Sequence, residues 1–356
     1  MAVYHGNHIH IEIEGESHAA QMTAHVVGMP SFAYDEAALL RFLDRRRAKG
    51  GVFATTRTES DLPHFEGMGA GGTVSADWRV TILNQNVRGR DYDPLYACPR
   101  PGHADYARFL RDGTLDYAGG GRFSGRMTAP LAVVGGLCLQ YLARKDIAVH
   151  AYLQSVGKAT GPSYKDDGFG PERVVWPAED AFPALGNTDA MLAEIAAAKA
   201  DADSVGGRIE CIVTGLTAGY GDNLFEGLEG RIAPLLLAIP AVKGVEFGDG
   251  FGLAAMRGSE ANDPLLYDDA QRVYSETNHM GGILGGISTG DYLSLAVAVK
   301  PTPSIGREQR TVNLSTRQNT TIRIEGRHDA CIAPRAVPVV EAAVAIALLD
   351  VMMDGQ

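Results

Sequence analysis

Two histidines stand where imidazole chemistry could be used. His18 follows Glu16 and Ser17 at the end of an alternating run, with the small Ala19 and Ala20 behind it. That leaves room for an imidazole that donates a proton near neutral pH, although a lone histidine is more often structural. Arg100-Pro-Gly-His103-Ala-Asp105 puts a guanidinium, an imidazole and a carboxylate on one tight turn. Arg45-Arg46-Arg47, with Lys49 and Arg57, suits a phosphate or carboxylate, and suits equally a solvated helix end that complements the macrodipole.

Three further stretches point to anions. Gly119-Gly-Gly-Arg122-Phe123-Ser124-Gly-Arg126 is a glycine loop that leads into a helix at Thr128, and free backbone N–H groups at such a place attract negative charge. Asn278–Gly290 is rich in glycine, includes Gly285, and precedes a strand that ends in Lys300-Pro301-Thr302-Pro303-Ser304. Arg327, His328, Asp329 and Arg335 cluster before the last helix. Two other signals are discounted. Gly67–Gly72 satisfies G-x-G-x-x-G, but a strand follows where the dinucleotide fingerprint needs a helix, so it reads as a turn. His5, His8 and His10 crowd together without a carboxylate to finish a shell, so no metal is expected.

The elements that must carry these groups follow from periodicity. His8–Glu14 and Asp77–Leu83 alternate and read as strands; Ala37–Arg47, Thr128–Arg144, Asp189–Ala200, Asn223–Leu237 and Val337–Met353 read as helices. The helices at Thr128 and Val337 are apolar nearly all round, which marks buried helices. Ser17 to Gly28 and Ser204 to Gly215 repeat one grammar, a strand ending in glycine and followed by a loop and a helix. That predicts two related halves in an α+β architecture of helices packed on antiparallel sheets.

The whole chain sets bounds. Its 356 residues would allow about two domains, but no linker or charge block divides them, so we expect one unit over residues 1–356. An apolar share of 45% with 21% charged residues describes an ordinary globular core. The net charge of −11 argues against a general nucleic-acid binder but not against a small anion held by a local arginine cluster. Cys98, Cys138, Cys211 and Cys331 suggest free thiols, and we see no leader or apolar span. A cytoplasmic protein without membrane or nucleic-acid partners is the expectation.

Taken together, the words Gly15-Glu-Ser-His-Ala19, Arg100–Asp105, Gly119–Ala129, Asp203–Gly207, Ala241–Glu246, Gly281–Gly290, Lys300–Ile305 and Gly326–Val339, in this order, resemble the chorismate synthase family. The resemblance implies a sandwich of long helices between antiparallel sheets and a homotetramer. It implies a lyase of the shikimate pathway of aromatic amino acid biosynthesis, converting 5-enolpyruvylshikimate-3-phosphate to chorismate by 1,4-elimination. Reduced FMN would be required without net redox change, the flavin lending an electron transiently, and NADPH would enter only as a possible reductant. His18 would be the acid near the phosphate, His103 the histidine near the flavin, and Asp329 the carboxylate that assists loss of the ring hydrogen. Arg122, Phe123, Ser124, Pro240, Ala241, Gly285, Lys300, Pro301, Thr302, Pro303, Ser304 and Arg327 would bind FMN. Arg46, Arg47, Arg57, Arg126 and Arg335 would bind substrate. Ala19, Val52, Met127 and Ala330 depart from the family's words, so the alternatives are a paralogous lyase on a related cyclohexene phosphate and an FMN-binding protein without catalysis.

Overall fold

The computed structural model describes residues 1–47, 60–84, 97–113, 120–324 and 329–355. Two five-stranded antiparallel sheets dominate it. The first runs β1–β2–β3–β5–β4, from β1 (Ala2–His5), β2 (His10–Gly15), β3 (Gln21–Val27), β4 (Pro63–Glu66) and β5 (Asp77–Leu83). The second runs β9–β10–β8–β6–β7, from β6 (Ala148–Val156), β7 (Ala159–Thr160), β8 (Gly207–Thr214), β9 (Val242–Phe247) and β10 (Leu293–Val299). Alternation explains the first sheet: Met22, Ala24 and Val26 of β3 and Trp78, Val80 and Ile82 of β5 face the core while their neighbours face out.

The helices are α1 (Glu36–Asp44), α2 (Asp105–Asp112), α3 (Thr128–Ala143), α4 (Thr188–Ala200), α5 (Leu228–Ala238), α6 (Gly258–Ala261) and α7 (Ala333–Met352). Asp35 caps α1 by accepting from the Ala38 amide at 3.0 Å, and Leu39 and Leu43 bury its inner face. α3 and α7 pack on each other between the sheets, α3 touching β3 and β5, α7 touching β6 and β8. The helices approach closely because Gly135 faces Ala342, where a Cβ on Gly135 would overlap the alanine.

α7 starts four residues before the sequence reading placed it. Pro334 and Arg335 look like loop, yet proline fits the first helical turn, where its missing N–H would have no partner anyway. The two acids that interrupt its apolar run pin the helix in place. Buried Glu341 accepts from both terminal nitrogens of Arg45, at 2.6 and 2.9 Å, and from the Ala151 amide at 2.8 Å. Buried Asp350 accepts from the amides of Asn7, His8 and Ile9 at 3.0, 2.9 and 2.7 Å and pairs with Arg231. No helix among the described residues is long and apolar enough to cross a membrane.

The repeat grammar corresponds to a structural duplication. β3 pairs with β2, and β8 pairs with β6, in the same antiparallel manner. Each ends in a left-handed glycine, Gly28 at φ +94° and Gly215 at φ +80°. A Cβ would overlap the His8 carbonyl oxygen in one and the Asp146 carbonyl oxygen in the other, so the same contact demands glycine twice. Gly67–Gly72 is a turn that leads into an extended segment, as expected.

Candidate active site

The Arg100–Asp105 turn folds around its own charges. Arg100 is only 4% exposed. Its Nε donates to Asp105 Oδ2 at 2.7 Å and one Nη to Asp105 Oδ1 at 2.8 Å. His103 Nδ1 makes a short contact with the same carboxylate. Burial disfavours the Asp105 anion, but hydrogen bonds from Arg100 and His103 outweigh it and hold its pKa well below the usual range. The carboxylate thereby orients the His103 ring. Arg100 also donates to Ser304 Oγ at 3.2 Å, and Lys300 Nζ donates to the Gly102 carbonyl at 2.7 Å. The turn is therefore fastened to the segment Lys300–Ser304 that follows β10.

That segment reaches the second charged group. Thr302 Oγ1 donates to the Asp329 carbonyl at 2.9 Å, and its own carbonyl accepts from Ser204 Oγ at 2.7 Å. Asp329 Oδ2 accepts from Arg335 Nη1 at 2.6 Å. Arg335 Nε in turn donates to the Arg46 carbonyl at 3.1 Å. Arg46 lies just past α1, and all three of its nitrogens meet protein: Thr128 Oγ1 at 3.1 Å, Asp61 Oδ2 at 2.8 Å and the Gly125 carbonyl at 3.1 Å. Burial lowers its pKa to about 9, with Asp61 resisting and Arg335 and Arg126 reinforcing the shift, so it is still a cation at neutral pH. Asp61 bridges Arg46 and Arg126 through its two oxygens. Burial opposes its charge, yet the two guanidiniums keep its pKa below 3.8.

The His18 loop joins through one side chain. Asn84 Oδ1 accepts from Arg126 Nε at 2.9 Å, and Asn84 Nδ2 donates to the Ala19 carbonyl at 2.7 Å. The Ser17 amide donates to the Gly121 carbonyl at 3.2 Å, which sets the loop beside the turn bearing Arg122 and Phe123. Arg122 pairs with Asp112 of α2 at 2.8 Å, and Ser124 Oγ accepts from the Arg126 amide at 3.2 Å. Hydrogen bonds thus run from the His18 loop through Asn84, Arg126, Asp61, Arg46, Arg335, Asp329 and Thr302, and from the neighbouring Ser304 to Arg100 and His103. Asp61 and Asn84 are functional candidates that the sequence reading missed. Neither lies in a motif word, and only tertiary contact reveals them.

A pair of lysines adds positive charge beside this network. Ala241, at φ +76°, accepts from the Lys300 amide at 2.9 Å, so Pro240 and Ala241 sit against the Lys300 segment. A bulge between Val242 and Gly244 sets Lys243 beside the end of β10. Burial, then the nearby Lys243 ammonium, lowers the Lys300 pKa. Lys243 and Lys300, neither in an ion pair with a carboxylate among the described residues, give this end of the sheet a positive field that suits an anion.

Other expected residues lie elsewhere. Gly285 stands apart, at the turn between Ile283–Leu284 and Ile287–Ser288, with φ +62° and open space around it. Arg47 pairs with Asp44 at 2.9 Å and lines a cavity of about 670 Å3. That cavity also bears Asp44, Asp61, Glu179 and Asp180, which would repel an anion, and it includes none of His18, His103 and Asp329. The hydrogen-bonded network, not this cavity, is the better candidate site. Arg57 and Arg327 fall outside the described residues, as do Lys49 and Val52. No group of three or more metal-ligating side chains could hold a metal among the described residues.

An α+β protein that gathers guanidiniums, the His103 imidazole and the Asp329 carboxylate from distant parts of its chain has the chemistry to grip a small anion and move a proton beside it. The comparisons name the family. The chorismate synthase family model matches residues 9–353. The chorismate synthase of Methanocaldococcus jannaschii is 39% identical over 364 residues, covering 99% of this chain and 96% of its own. That of Thermococcus kodakarensis is 40% identical over 350 residues, covering 97% and 96%. A crystal structure of chorismate synthase shares the fold, with a TM-score of 0.75 at 23% identity over 99% of this chain and 93% of the other. The chain belongs to the chorismate synthase family.

Proposed function

We propose that the chain is a chorismate synthase acting as one unit over residues 1–356. It takes 5-enolpyruvylshikimate-3-phosphate, breaks the C–O bond to phosphate and one ring C–H bond, and forms a new double bond. The phosphate leaves with its bonding electron pair, the ring hydrogen is lost overall as a proton whose C–H pair becomes the new double bond, and no net oxidation occurs. The observation that carries this reading is the hydrogen-bonded network joining the His18 loop, Arg126, Arg335, Asp329 and His103.

Arg126 and Arg335 bind the anionic groups of the substrate. Charge-assisted hydrogen bonds of this sort are worth about 1.5–3 kcal/mol each. Arg46, its nitrogens engaged by protein, contributes positive field and holds the Arg126 turn. His18 gives a proton to the departing phosphate. Asp329, oriented by Arg335, stands at the end of the site where the ring hydrogen is lost. Reduced FMN would be held by Lys300, Thr302 and Ser304, with Pro301, Pro303, Arg122, Phe123, Ser124, Pro240 and Ala241 nearby; the family resemblance adds Arg327, and Gly285 apart from this network. When bound, it supplies an electron-rich ring that eases loss of phosphate and is not consumed. His103, fixed by Asp105, lies beside that cofactor. NADPH would enter this reading only as a reductant of the flavin, a role that an anaerobic assay with NADPH as sole reductant tests. A cytoplasmic homotetramer goes with this reading, and the well-exposed Leu224, Phe225, Phe251 and Tyr267 suit a chain that assembles with copies of itself.

Anaerobic incubation with reduced FMN and the substrate tests the reading. Catalytic release of one phosphate per product formed is expected. No release above a protein-free control would overturn it. Release from a related cyclohexene phosphate alone would favour the paralogous lyase, which Ala19 and Val52 motivate.

A further inference from the structure

We propose that Asn84 is a positioning residue that fixes the proton-donor loop of His18 against the cation Arg126. The inference rests on the roles given to His18 and Arg126 above.

Asn84 follows the last residue of β5 and extends the ladder by one bond, its amide donating to the Ala20 carbonyl at 2.9 Å. Its side chain divides its two ends between two parts of the site. Oδ1 accepts from Arg126 Nε at 2.9 Å. Nδ2 donates to the Ala19 carbonyl at 2.7 Å and reaches the Glu16 carbonyl at 3.4 Å. The orientation of the amide is not arbitrary. A guanidinium only donates and a carbonyl only accepts, so oxygen must face Arg126 and nitrogen must face the loop. Asp would lose the donor, and Leu or Ala would lose both ends.

The geometry matters because His18 sits in a bend between β2 and β3, whose residues 16–20 carry no strand pairing of their own. Arg126 is held independently, by Asp61 and by the turn that precedes α3. One planar amide spans the two, with no flexible linker between them. A proton donor and an anion clamp acting on one leaving group need a fixed separation, and a displacement of about 1 Å costs about 10²-fold in rate. Both ends of the Asn84 amide are taken up by Arg126 and the loop, so it acts through the residues it joins.

A double-mutant cycle separates this role from plain support of the fold. Asn84→Ala is expected to lower kcat by roughly 10–100-fold in the wild-type background. In a His18→Ala background it should cost no more than about twofold, because the donor it positions is already gone. The same fold-loss in both backgrounds, or no loss in the wild type, would overturn the proposal. A second readout needs no turnover. Amide hydrogen exchange of residues 16–20 in the unliganded protein should speed up about 10-fold in Asn84→Ala and in the isosteric Asn84→Asp, with the α3–α7 core still protected. Unchanged exchange in both variants would overturn it too. If the wild type itself releases no phosphate, the functional reading fails while exchange still decides whether Asn84 holds the loop.

Discussion

The guanidiniums and carboxylates of this site hold one another, Arg100 with Asp105, Arg46 and Arg126 with Asp61, and Arg335 with Asp329, and that decides which side chains can react. Arg46 is sealed and engaged at every nitrogen, so it supports the site more than it touches a ligand. His18 and His103 are the groups that carry protons in the proposed chemistry, and His103 has Asp105 to orient it. His18→Ala and His103→Ala should each lower turnover by about 10²–10⁴, read from initial phosphate release under saturating substrate. Wild-type rates in either variant would remove that histidine from the mechanism. At this scale the sequence was legible where chemistry comes in contiguous words. His18, His103 and Asp329 each stand in a run whose neighbours are informative. Asp61 and Asn84 were not legible, because a single acid before a strand and a single amide after one look like ordinary surface residues until the fold sets guanidiniums beside them.

Elements place these groups through close backbone approach. The sequence reading found the helix at Thr128 and the strand Asp77–Leu83 with their bounds nearly intact, because both have strong periodicity. The start of α7 was less legible, because a proline and an arginine in its first turn, Pro334 and Arg335, resemble a loop. It found the duplication through Gly28 and Gly215, which recur at one spacing because the same carbonyl contact forbids any side chain. Gly135 was not singled out, yet it sets the distance between α3 and α7. Gly135→Ala should destabilise the protein by about 1–3 kcal/mol or more, as overpacking against helix backbone does. Gly136→Ala should cost less, because its Cβ would meet the ends of the Leu39 and Phe42 side chains at 2.7 and 2.9 Å. Denaturant midpoints of the two variants check the order, and a larger loss at Gly136 would contradict it.

For the molecule as a whole, buried acids on an apolar helix fasten the sheets and helices into one arrangement. Asp350 is the clearest case. Burial opposes its charge, but the Ile9, His8 and Asn7 amides and Arg231 outweigh that and hold its pKa below 3.8. A depressed folded pKa means stability that is present above the unfolded value and lost as pH falls through the folded one. Asp350→Asn should therefore cost about 3–5 kcal/mol at pH 7. The gap between wild type and variant should shrink below about pH 4 in urea unfolding series, as the wild-type carboxyl takes up its proton. A gap that stays constant down to pH 2 would refute that linkage.

The central claim is that residues from both halves of the chain build one anion site. A crystal structure with the substrate and FMN bound tests it most directly. The account predicts the substrate phosphate within hydrogen-bonding reach of His18 and Arg126, with FMN against Lys300–Ser304 and His103. Ligands bound elsewhere, or His18 and Asp329 contacting neither of them, would contradict it.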